Sequence, residues 1–389
     1  MLNLPVLCKQ VCHTFKVWHT CLQSMNEDFL HKKLRERQDS HAFRRLRLPD
    51  GKTDFCSNDY LGIVRGRLLP TPGAGLASGS TGSRLLAGNY PLAEQAEREL
   101  AAFHRAEAAL LFNSGYDANS GLLSCVPQRG DTILYDSLSH ASLRDGIRLS
   151  FAQSFAFQHN DIADLEKRLE SDAKGAGNIF VVTESVFSMD GDKAPLADMA
   201  ALCARYDAGL IVDEAHATGV VGEEGEGLVQ QLGLEKACFA RVHTFGKAVG
   251  CHGALVAGST ALRDWLVNFC RPFIFSTALP ETAVHAIRES YRLFPGMHDA
   301  RRQLQSLIAQ WQQAKLPFDT LLSDTPIQGV VVPGNEAVKK LAARLQENNL
   351  DVRPILYPTV PRGKERLRII LHAFNTEEEL QHLVQVLSA

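Results

Sequence analysis

Between residues 209 and 247 the sequence twice places a reactive side chain at the end of a short apolar or turn segment. Leu210-Ile-Val is followed by Asp213, and Thr244-Phe-Gly leads into Lys247. A carboxylate and a lysine at neighbouring strand ends form the pair that pyridoxal phosphate (PLP) chemistry requires. The acid keeps the pyridine nitrogen of the cofactor protonated, and the lysine forms the Schiff base. The sequence therefore predicts a PLP site centred on Asp213 and Lys247.

Each half of this pattern has a simpler explanation when it is taken alone. A carboxylate can cap the end of a strand, and a lysine after glycine is commonly a solvated surface residue. His216 and the hydroxyl of Thr244 lie close by in the sequence and could also bind a cofactor. Because open α/β sheets bind their ligands at the carboxyl ends of the strands, the combination favours the cofactor interpretation.

The composition is that of an ordinary globular protein of 389 residues, with 45% hydrophobic and 22% charged residues. A net charge of −3 gives no overall field that would attract nucleic acid or an anionic membrane. No apolar run reaches the length of a membrane span. The nine cysteines are scattered, and the closest pair, Cys8 and Cys12, lacks the second pair that a zinc site needs. We therefore expect free thiols, no metal and a cytoplasmic location.

Strand-like and helical patterns alternate through the middle of the chain, as at 109–112, 132–135 and 179–183. This alternation predicts an α/β domain with a mostly parallel sheet. The last hundred residues change to an α+β pattern. We predict four segments: a non-native or disordered extension at 1–24, with Met25 as an alternative start, an N-terminal helix and arm at 25–69, a large PLP-binding domain at 70–285 and a small C-terminal domain at 286–389.

Two further stretches combine small residues with groups that bind anions. Residues 70–89 are rich in Gly, Ser and Thr, but they also carry Arg84 and an apolar pair, which a flexible linker would not need. Residues 113–119 lie between a predicted strand and a helix, where free N–H groups can bind phosphate. No dinucleotide-binding or Walker pattern follows a predicted strand. These features favour a phosphate cradle at residues 113–119.

Residues 27–47 read as an amphipathic basic helix and its exit. Two interpretations stay open for this segment. The commoner one is a solvated helix face. The other is an anion site for the phosphates of a coenzyme or for a carboxylate. Nucleic-acid binding is disfavoured, because only Phe29 and Phe43 are interleaved with the basic residues.

Several short motifs together resemble one enzyme family. They are Ser-Asn-Asp-Tyr-Leu-Gly (57–62), Gly-Ser-Thr-Gly-Ser-Arg (79–84), Ser-Gly-Tyr-x-Ala-Asn (114–119), Leu-Ser-His-Ala-Ser (138–142), Glu-Ser-Val-Phe-Ser-Met-Asp-Gly-Asp (184–192), Val-Asp-Glu-Ala-His-x-Thr-Gly (212–219), Thr-Phe-Gly-Lys (244–247), Phe-Ser-Thr-Ala-Leu-Pro (275–280) and Pro-Thr-Val-Pro (358–361). Over residues 25–389 the chain resembles the α-oxoamine synthases, which are fold-type-I PLP enzymes. The resemblance implies a large domain on a mostly parallel seven-stranded sheet, a small α+β domain, and a homodimer with active sites at its interface.

The resemblance also implies roles for individual residues. Lys247 is expected to form the Schiff base, Asp213 to bind the pyridine nitrogen and His140 to stack on the ring. The other implied cofactor-binding residues are Gly115 and Tyr116 near the phosphate, Thr244 through its hydroxyl, and Ser188 and His216 at the 3-hydroxyl of the ring. The implied substrate-binding residues are Arg44, Asn58, Thr359 and Arg368, with Glu184 as a supporting acceptor. Arg368 is expected to hold the carboxylate of the amino acid, with a structural salt bridge as the alternative.

Three positions depart from the pattern of the family. The spacer between Gly62 and Gly79 is short, so we expect a trimmed surface helix. Ala93 stands where many relatives have histidine. Leu356 and Tyr357 precede Pro-Thr-Val-Pro where an enterobacterial pattern has an arginine, and Arg353 lies three residues upstream of Leu356. The last two departures concern the choice of substrate.

The implied reaction is a decarboxylating condensation of L-alanine with a pimeloyl thioester, carried by coenzyme A or by acyl carrier protein. A sister synthase that uses glycine or serine with another acyl-CoA is the main alternative. A non-catalytic synthase subunit is a different class, and the presence of Lys247, Asp213 and His140 argues against it. An aminotransferase of the same fold is disfavoured by the motifs at 57–62 and 358–361.

Overall fold

The computed structural model describes residues 27–46, 48, 50–172 and 177–389. The predicted extension at 1–24 and Met25 lie outside these residues. The chain begins its described part with helix α1 (Asp28–Asp39), and no side chain of this helix is buried. The helix that the sequence predicts here is therefore present, and it is solvated on all sides in the single chain.

A seven-stranded sheet forms the centre of the molecule, in the order β2-β8-β7-β6-β5-β3-β4. Its strands are β2 (Ala108–Phe112), β3 (Thr132–Asp136), β4 (Gln153–Phe157), β5 (Ile179–Glu184), β6 (Ala208–Asp213), β7 (Cys238–Thr244) and β8 (Ala254–Gly258). Strand β8 runs antiparallel to β2 and β7, and the other neighbours are parallel. The predicted α/β fold with a mostly parallel sheet is thereby confirmed.

Helices connect the strands and cover both faces of this sheet. They are α2 (Pro91–Phe103), α3 (Gly115–Cys125), α4 (Ala141–Leu149), α5 (Ile162–Ser171), α6 (Leu196–Arg205), α7 (Leu228–Gln231), α8 (Thr260–Phe269), α9 (Arg271–Ile274) and α10 (Glu281–Leu293). In β6, Leu210 and Val212 belong to one apolar cluster, and Ile211 belongs to the other. Burial on both faces explains why the strand reads as a continuous apolar run.

A three-stranded antiparallel sheet follows in the last part of the chain, in the order β11-β12-β9. The elements of this part are α11 (His298–Gln313), β9 (Ile327–Val331), α12 (Asn335–Glu347), β10 (Leu350–Asp351), β11 (Arg353–Ile355), β12 (Arg366–Ile370) and α13 (Glu377–Ser388). Strand β10 pairs in parallel with β1 (Thr53–Asp54), which attaches the N-terminal arm to this part. The α+β character predicted here is observed, while the predicted domain boundaries stay predictions.

Polar residues gather at one edge of the central sheet. Strands β3, β5, β6 and β7 end at Asp136, Glu184, Asp213 and Thr244. Because these strands are parallel, their carboxyl ends meet at the same edge, and Glu184 lies directly beside Asp213 in the register. The fold therefore converts separate sequence motifs into one site.

The connection at residues 63–79, all of it described, contains only turns and bends, in agreement with the expected loss of a surface helix. None of the helices in the described part of the chain has the length and apolar character needed to cross a bilayer. Within the same residues, no group of three or more His, Cys, Asp or Glu side chains is arranged to hold a metal ion.

Candidate active site

A cavity of about 240 Å³ lies at the carboxyl edge of the central sheet. Nine of the residues predicted from the sequence line it: Asn58, Gly115, Tyr116, His140, Glu184, Asp213, His216, Thr244 and Lys247. They come from positions far apart in the chain, and the strand ends and the loops that follow them bring these side chains together. The cavity is therefore the candidate site for the cofactor.

Four predicted residues are not among those that line the cavity. Arg368 lies next to it, because its Nη2 donates to Asn58 Oδ1 at 3.0 Å. Its Nε donates to the carbonyl oxygen of Ser188 at 2.6 Å, so Ser188 is beside Arg368. Arg44 and Thr359 form a separate contact, with 3.1 Å between Nη2 of Arg44 and Oγ1 of Thr359.

Asp213 is held rigidly at the end of β6. One carboxylate oxygen accepts from the backbone N–H of Ala215 at 2.8 Å, and the other accepts from Nδ2 of Asn119 at 2.7 Å. The residue is 4% exposed, so its remaining lone pairs face the cavity rather than bulk water. A carboxylate fixed in this position can pair with a protonated pyridine nitrogen.

Lys247 follows β7 in a turn that also lines the cavity. Burial lowers the pKa of its amine, and the charge of Arg368 acts in the same direction, while Asp213 and Glu184 oppose the shift. A lysine with a lowered pKa spends more time as the neutral amine, which is the form that attacks a carbonyl carbon. Lys247 is therefore suited to form a Schiff base.

His140 is the N-cap residue of α4, and its ring is exposed to the cavity. Nδ1 accepts from the backbone N–H of Ser142 at 3.3 Å and lies 2.8 Å from the hydroxyl oxygen of Ser142. This bonding leaves the hydrogen of a neutral ring on Nε2. Burial lowers the pKa of His140, which favours a neutral imidazole that can stack on a flat ligand.

The backbone N–H of His140 donates to Oε1 of Glu184 at 2.6 Å. Burial raises the pKa of Glu184 to about 8, and the neighbouring charge of Asp213 adds to the shift. His216 is buried in the wall of the same cavity, and its Nδ1 lies 2.7 Å from the hydroxyl oxygen of Tyr60. Burial lowers the pKa of His216 well below its usual value, so this ring is a neutral hydrogen-bonding group.

The first turn of α3 forms the phosphate end of the cavity. The side chain of Ser114 caps the helix by accepting from the N–H of Asp117 at 3.1 Å, and the N–H groups at Gly115 and Tyr116 precede the first intrahelical bonds. A Cβ atom at Gly115 would lie 2.3 Å from Cγ2 of Thr244, so only glycine permits this close approach. Oγ1 of Thr244 is buried and has no hydrogen-bond partner. An anion at this helix terminus would provide that partner.

These observations together test whether the residues fit PLP. The acid, the lysine with a lowered pKa, the exposed imidazole, the free helix terminus and the unpartnered hydroxyl all face one cavity. The donor set fits the cofactor at its nitrogen, its aldehyde carbon, its ring face and its phosphate. When bound, PLP supplies an electron sink that stabilises negative charge on the α-carbon of an amino acid.

Three residues that hold the predicted groups in place were not predicted from the sequence. Asn119 bonds to Asp213 and also donates to the hydroxyl of Ser142 at 3.0 Å. Asn119 stands one helical turn after Gly115, so the helical period could have placed both on one face. Ser142 follows His140 by two residues and Tyr60 lies in the motif at 57–62, but neither spacing indicates the contact.

Arg368 has no carboxylate within salt-bridge distance among the residues that the structure describes. In the same strand, Arg366 pairs with Asp190. Arg368 instead donates to a carbonyl and an amide oxygen, which leaves its positive charge uncompensated beside the cavity. This arrangement argues against the structural salt bridge and favours a ligand carboxylate as the partner.

Comparison with known proteins agrees with this site. A family profile for aminotransferase class I and II matches residues 50–387. An 8-amino-7-oxononanoate synthase of Emericella nidulans is 41% identical over 397 residues, covering 93% of this chain and 95% of the relative. An 8-amino-7-oxononanoate synthase of Azoarcus sp. is 40% identical over 340 residues, with 86% and 87% of the two chains covered.

Solved structures show the same fold. A serine palmitoyltransferase from S. paucimobilis with a bound PLP-myriocin aldimine superposes with a TM-score of 0.82 at 27% identity, covering 93% of this chain and 96% of that one. An 8-amino-7-oxononanoate synthase from Francisella tularensis superposes with a TM-score of 0.72 at 28% identity, covering 87% and 98%. The chain therefore belongs to the aminotransferase class I and II family, as a fold-type-I PLP-dependent acyltransferase of the α-oxoamine synthase group that is similar to 8-amino-7-oxononanoate synthases.

Proposed function

We propose that this enzyme condenses L-alanine with a pimeloyl thioester to give 8-amino-7-oxononanoate, a step of biotin synthesis. A carbon–carbon bond forms between the α-carbon of alanine and the acyl carbon. The thiol leaves, and the alanine carboxyl group departs as carbon dioxide. The observation that carries the proposal is the meeting of Lys247 and Asp213 in one cavity of a chain about 40% identical to named synthases of this product.

Lys247 is proposed to act twice. Its neutral amine first binds the cofactor, and once the amino acid has displaced it, the same amine removes the proton from the α-carbon. The lowered pKa supports both roles, because each requires the unprotonated amine. Asp213 is proposed to pair with the pyridine nitrogen, and its bonds to Ala215 and Asn119 fix the plane of its carboxylate.

Arg368 is proposed to bind the carboxylate of alanine. Two of its donors are already engaged by Asn58 and Ser188, and these bonds orient the guanidinium beside the cavity. A guanidinium held in one plane fixes the carboxylate, and therefore the direction of the α-C–H bond that must break. His140, with its hydrogen on Nε2, is proposed to cover the cofactor ring and to donate to the reacting carboxylate. Ser188 and His216 are proposed to lie near the 3-hydroxyl of the ring.

A sister synthase that uses serine or glycine is the second candidate. The observation in its favour is the high structural similarity to serine palmitoyltransferase. The relatives named as 8-amino-7-oxononanoate synthases have higher sequence identity, 41% for the fungal one against 27% for this serine palmitoyltransferase. We therefore place alanine and a pimeloyl thioester first.

A homodimer is proposed as the active form, in the cytoplasm. Two large apolar side chains are strongly exposed: Leu86 is 86% exposed and Phe275 is 72% exposed. The two segments that carry them are joined, because the N–H of Ala278 donates to the carbonyl oxygen of Gly82 at 3.0 Å. Exposed apolar side chains on joined segments fit an interface between two copies. Light scattering on the purified protein tests the proposal.

The test of function is a matrix of amino acids and acyl thioesters. Release of carbon dioxide and of free thiol is measured for alanine, glycine and serine, each with pimeloyl, palmitoyl and short acyl-CoA. The proposal expects the highest kcat/KM for alanine with the pimeloyl thioester. A preference for serine with palmitoyl-CoA would assign the enzyme to the sister activity.

A further inference from the structure

A second large groove lies between the segment after α1 and the C-terminal part of the chain. It has a volume of about 900 Å³. One wall carries Phe43, Arg44 and Arg45, and the facing wall carries Lys339 of α12 and Arg353 of β11. The groove shares no lining residue with the cofactor cavity, and of its basic residues only Arg44 is expected to contact substrate.

The charges in this groove are unbalanced. Four of the lining side chains are cationic, and no acidic residue lines the groove. Arg353 pairs with Asp351 at 2.7 Å. In the described part of the chain, Arg44, Arg45 and Lys339 have no acidic side chain within salt-bridge distance. Three like charges around one concave surface repel one another, so the groove favours an anion with more than one negative group.

Strand register connects the groove to the active site. Arg353 of β11 stands directly opposite Arg368 of β12. Residues opposite each other in an antiparallel pair present their side chains on the same face of the sheet. Arg353 lines the groove, and Arg368 contacts Asn58, which lines the cofactor cavity. The groove therefore begins about one strand spacing, ~4.8 Å, from the residue proposed to bind alanine.

The wall formed after α1 is fastened to the same region. Nη2 of Arg44 donates to Oγ1 of Thr359 at 3.1 Å, and Nδ2 of Asn335 donates to the carbonyl oxygen of Ser40 at 2.8 Å. The guanidinium of Arg45 lies 5.7 Å from the centre of the Phe43 ring. Basic groups thus alternate with apolar surface from Phe43 and Leu356 along the groove.

We propose that this basic groove binds the phosphate groups of the acyl carrier, with the pantetheine arm directed towards the cavity that contains Lys247. The inference rests on the proposed function, because it concerns the thioester substrate of that reaction. Arginine forks bind phosphate oxygens in pairs, lysine adds a point charge, and the apolar wall suits a pantetheine chain. Coenzyme A and the prosthetic group of acyl carrier protein share this phosphate-bearing arm.

The test removes two charges that have no other assigned role, in the double variant Arg45→Gln with Lys339→Gln. The control is Lys340→Gln, which removes a charge from the same helix at an exposed position that does not line the groove. We measure KM for pimeloyl-CoA, for the pimeloyl thioester of acyl carrier protein and for the pimeloyl thioester of N-acetylcysteamine, which has no phosphate. The double variant should raise KM for a phosphate-bearing thioester by roughly tenfold.

A rise for the CoA thioester alone, for the carrier-protein thioester alone or for both supports the groove and identifies the source of the phosphate. KM for alanine and kcat/KM for the N-acetylcysteamine thioester should stay unchanged. An unchanged KM for both phosphate-bearing thioesters, an equal rise for the N-acetylcysteamine thioester, or the same rise in Lys340→Gln would overturn the proposal.

Calorimetric binding of free coenzyme A separates this proposal from the proposed function, since it requires no turnover. An enzyme that binds coenzyme A through Arg45 and Lys339 but condenses no acyl thioester would refute the function and retain the groove. Binding that is equally tight in the parent and the double variant, in an enzyme that makes the expected product, would refute the groove alone. The binding should also weaken as salt is added, because ionic strength screens exposed charges.

Discussion

Replacement of Arg368 by lysine tests the proposed clamp for the amino acid. Arginine uses Nε and Nη2 to bond to Ser188 and Asn58, at 2.6 and 3.0 Å. Lysine has one nitrogen and can keep at most one of these bonds. A hydrogen bond to a charged group contributes about 1.5–3 kcal/mol, so we expect the free energy of unfolding to fall by about 1–2 kcal/mol.

The effect on catalysis should be larger than this loss of stability suggests. A lysine nitrogen at this position would keep the charge but lose the two-pronged contact with the alanine carboxylate. The α-C–H bond would then be less well aligned, and misalignment of this kind costs on the order of 10²-fold in rate. We expect kcat/KM for alanine to fall by roughly 10²-fold, or about 2.7 kcal/mol, through a raised KM and a lowered kcat.

Steady-state kinetics with each substrate varied in turn, together with urea unfolding, measures both effects. KM for the acyl thioester should stay within about twofold, because that substrate does not use the clamp. Arg366→Lys is the matched control, since Arg366 lies in the same strand and pairs with Asp190. It should lose stability without a change in KM for alanine. If Arg368→Lys behaves like this control, Arg368 is a structural residue and the clamp lies elsewhere.

The remaining predictions concern the cofactor and the buried histidines. Lys247→Ala should abolish turnover and the absorption band that borohydride removes from the parent enzyme; turnover at the parent rate would disprove the Schiff base at Lys247. Asp213→Asn should fold normally but lose on the order of 10²-fold or more in kcat, because an amide cannot stabilise a protonated pyridine nitrogen; an unchanged kcat would leave Asp213 as a strand cap. Asn119→Ala removes a hydrogen bond from one oxygen of Asp213, so the affinity for PLP should weaken by roughly tenfold, about 1.4 kcal/mol for one charge-assisted bond. Fluorescence during removal and re-addition of the cofactor measures this affinity, and equal affinity would contradict the positioning role. Burial lowers the pKa of His104 and of His243, whose ring centroids lie 3.6 Å apart, so only the unfolded chain binds protons at these histidines as the pH falls below about 6.5. Their contribution to the free energy of unfolding should therefore be complete above that pH and should fall below it by up to about 1.4 kcal/mol per pH unit for each histidine. His104→Gln should give a shallower dependence of stability on pH, measured by urea unfolding between pH 5 and 7.

Much of the fold could be predicted from local patterns. The apolar run at 210–212 that ends in Asp213 has the composition of a strand buried on both faces, and the structure places it at the centre of the sheet. Because all parallel strands present their carboxyl ends at one edge, the sequence also indicated that Asp213 and Thr244 would meet there. These features depend on the spacing of apolar residues and on the direction of the chain, which are local properties.

Contacts between distant segments could not be obtained in this way. The bond from Asn119 to Asp213 joins two residues that neither periodicity nor spacing connects. It exists because α3 packs against β7 and β8, beside β6, once the strand order is set. The position of β8 between β2 and β7 likewise depends on pairing between strands that are far apart in the sequence.

The sequence by itself determined which chemical groups are available and which of them stand at strand ends: the acid, the lysine and the glycine turn of a PLP site. The tertiary structure alone decided their supports and their neighbours. Asn119 and Ser142 hold Asp213 and His140 through side-chain contacts. The register of β11 against β12 sets Arg353 beside Arg368, so a basic groove adjoins the active site. Local patterning specifies the elements, whereas the positions of side chains across elements follow from packing and strand register, which involve the whole chain at once.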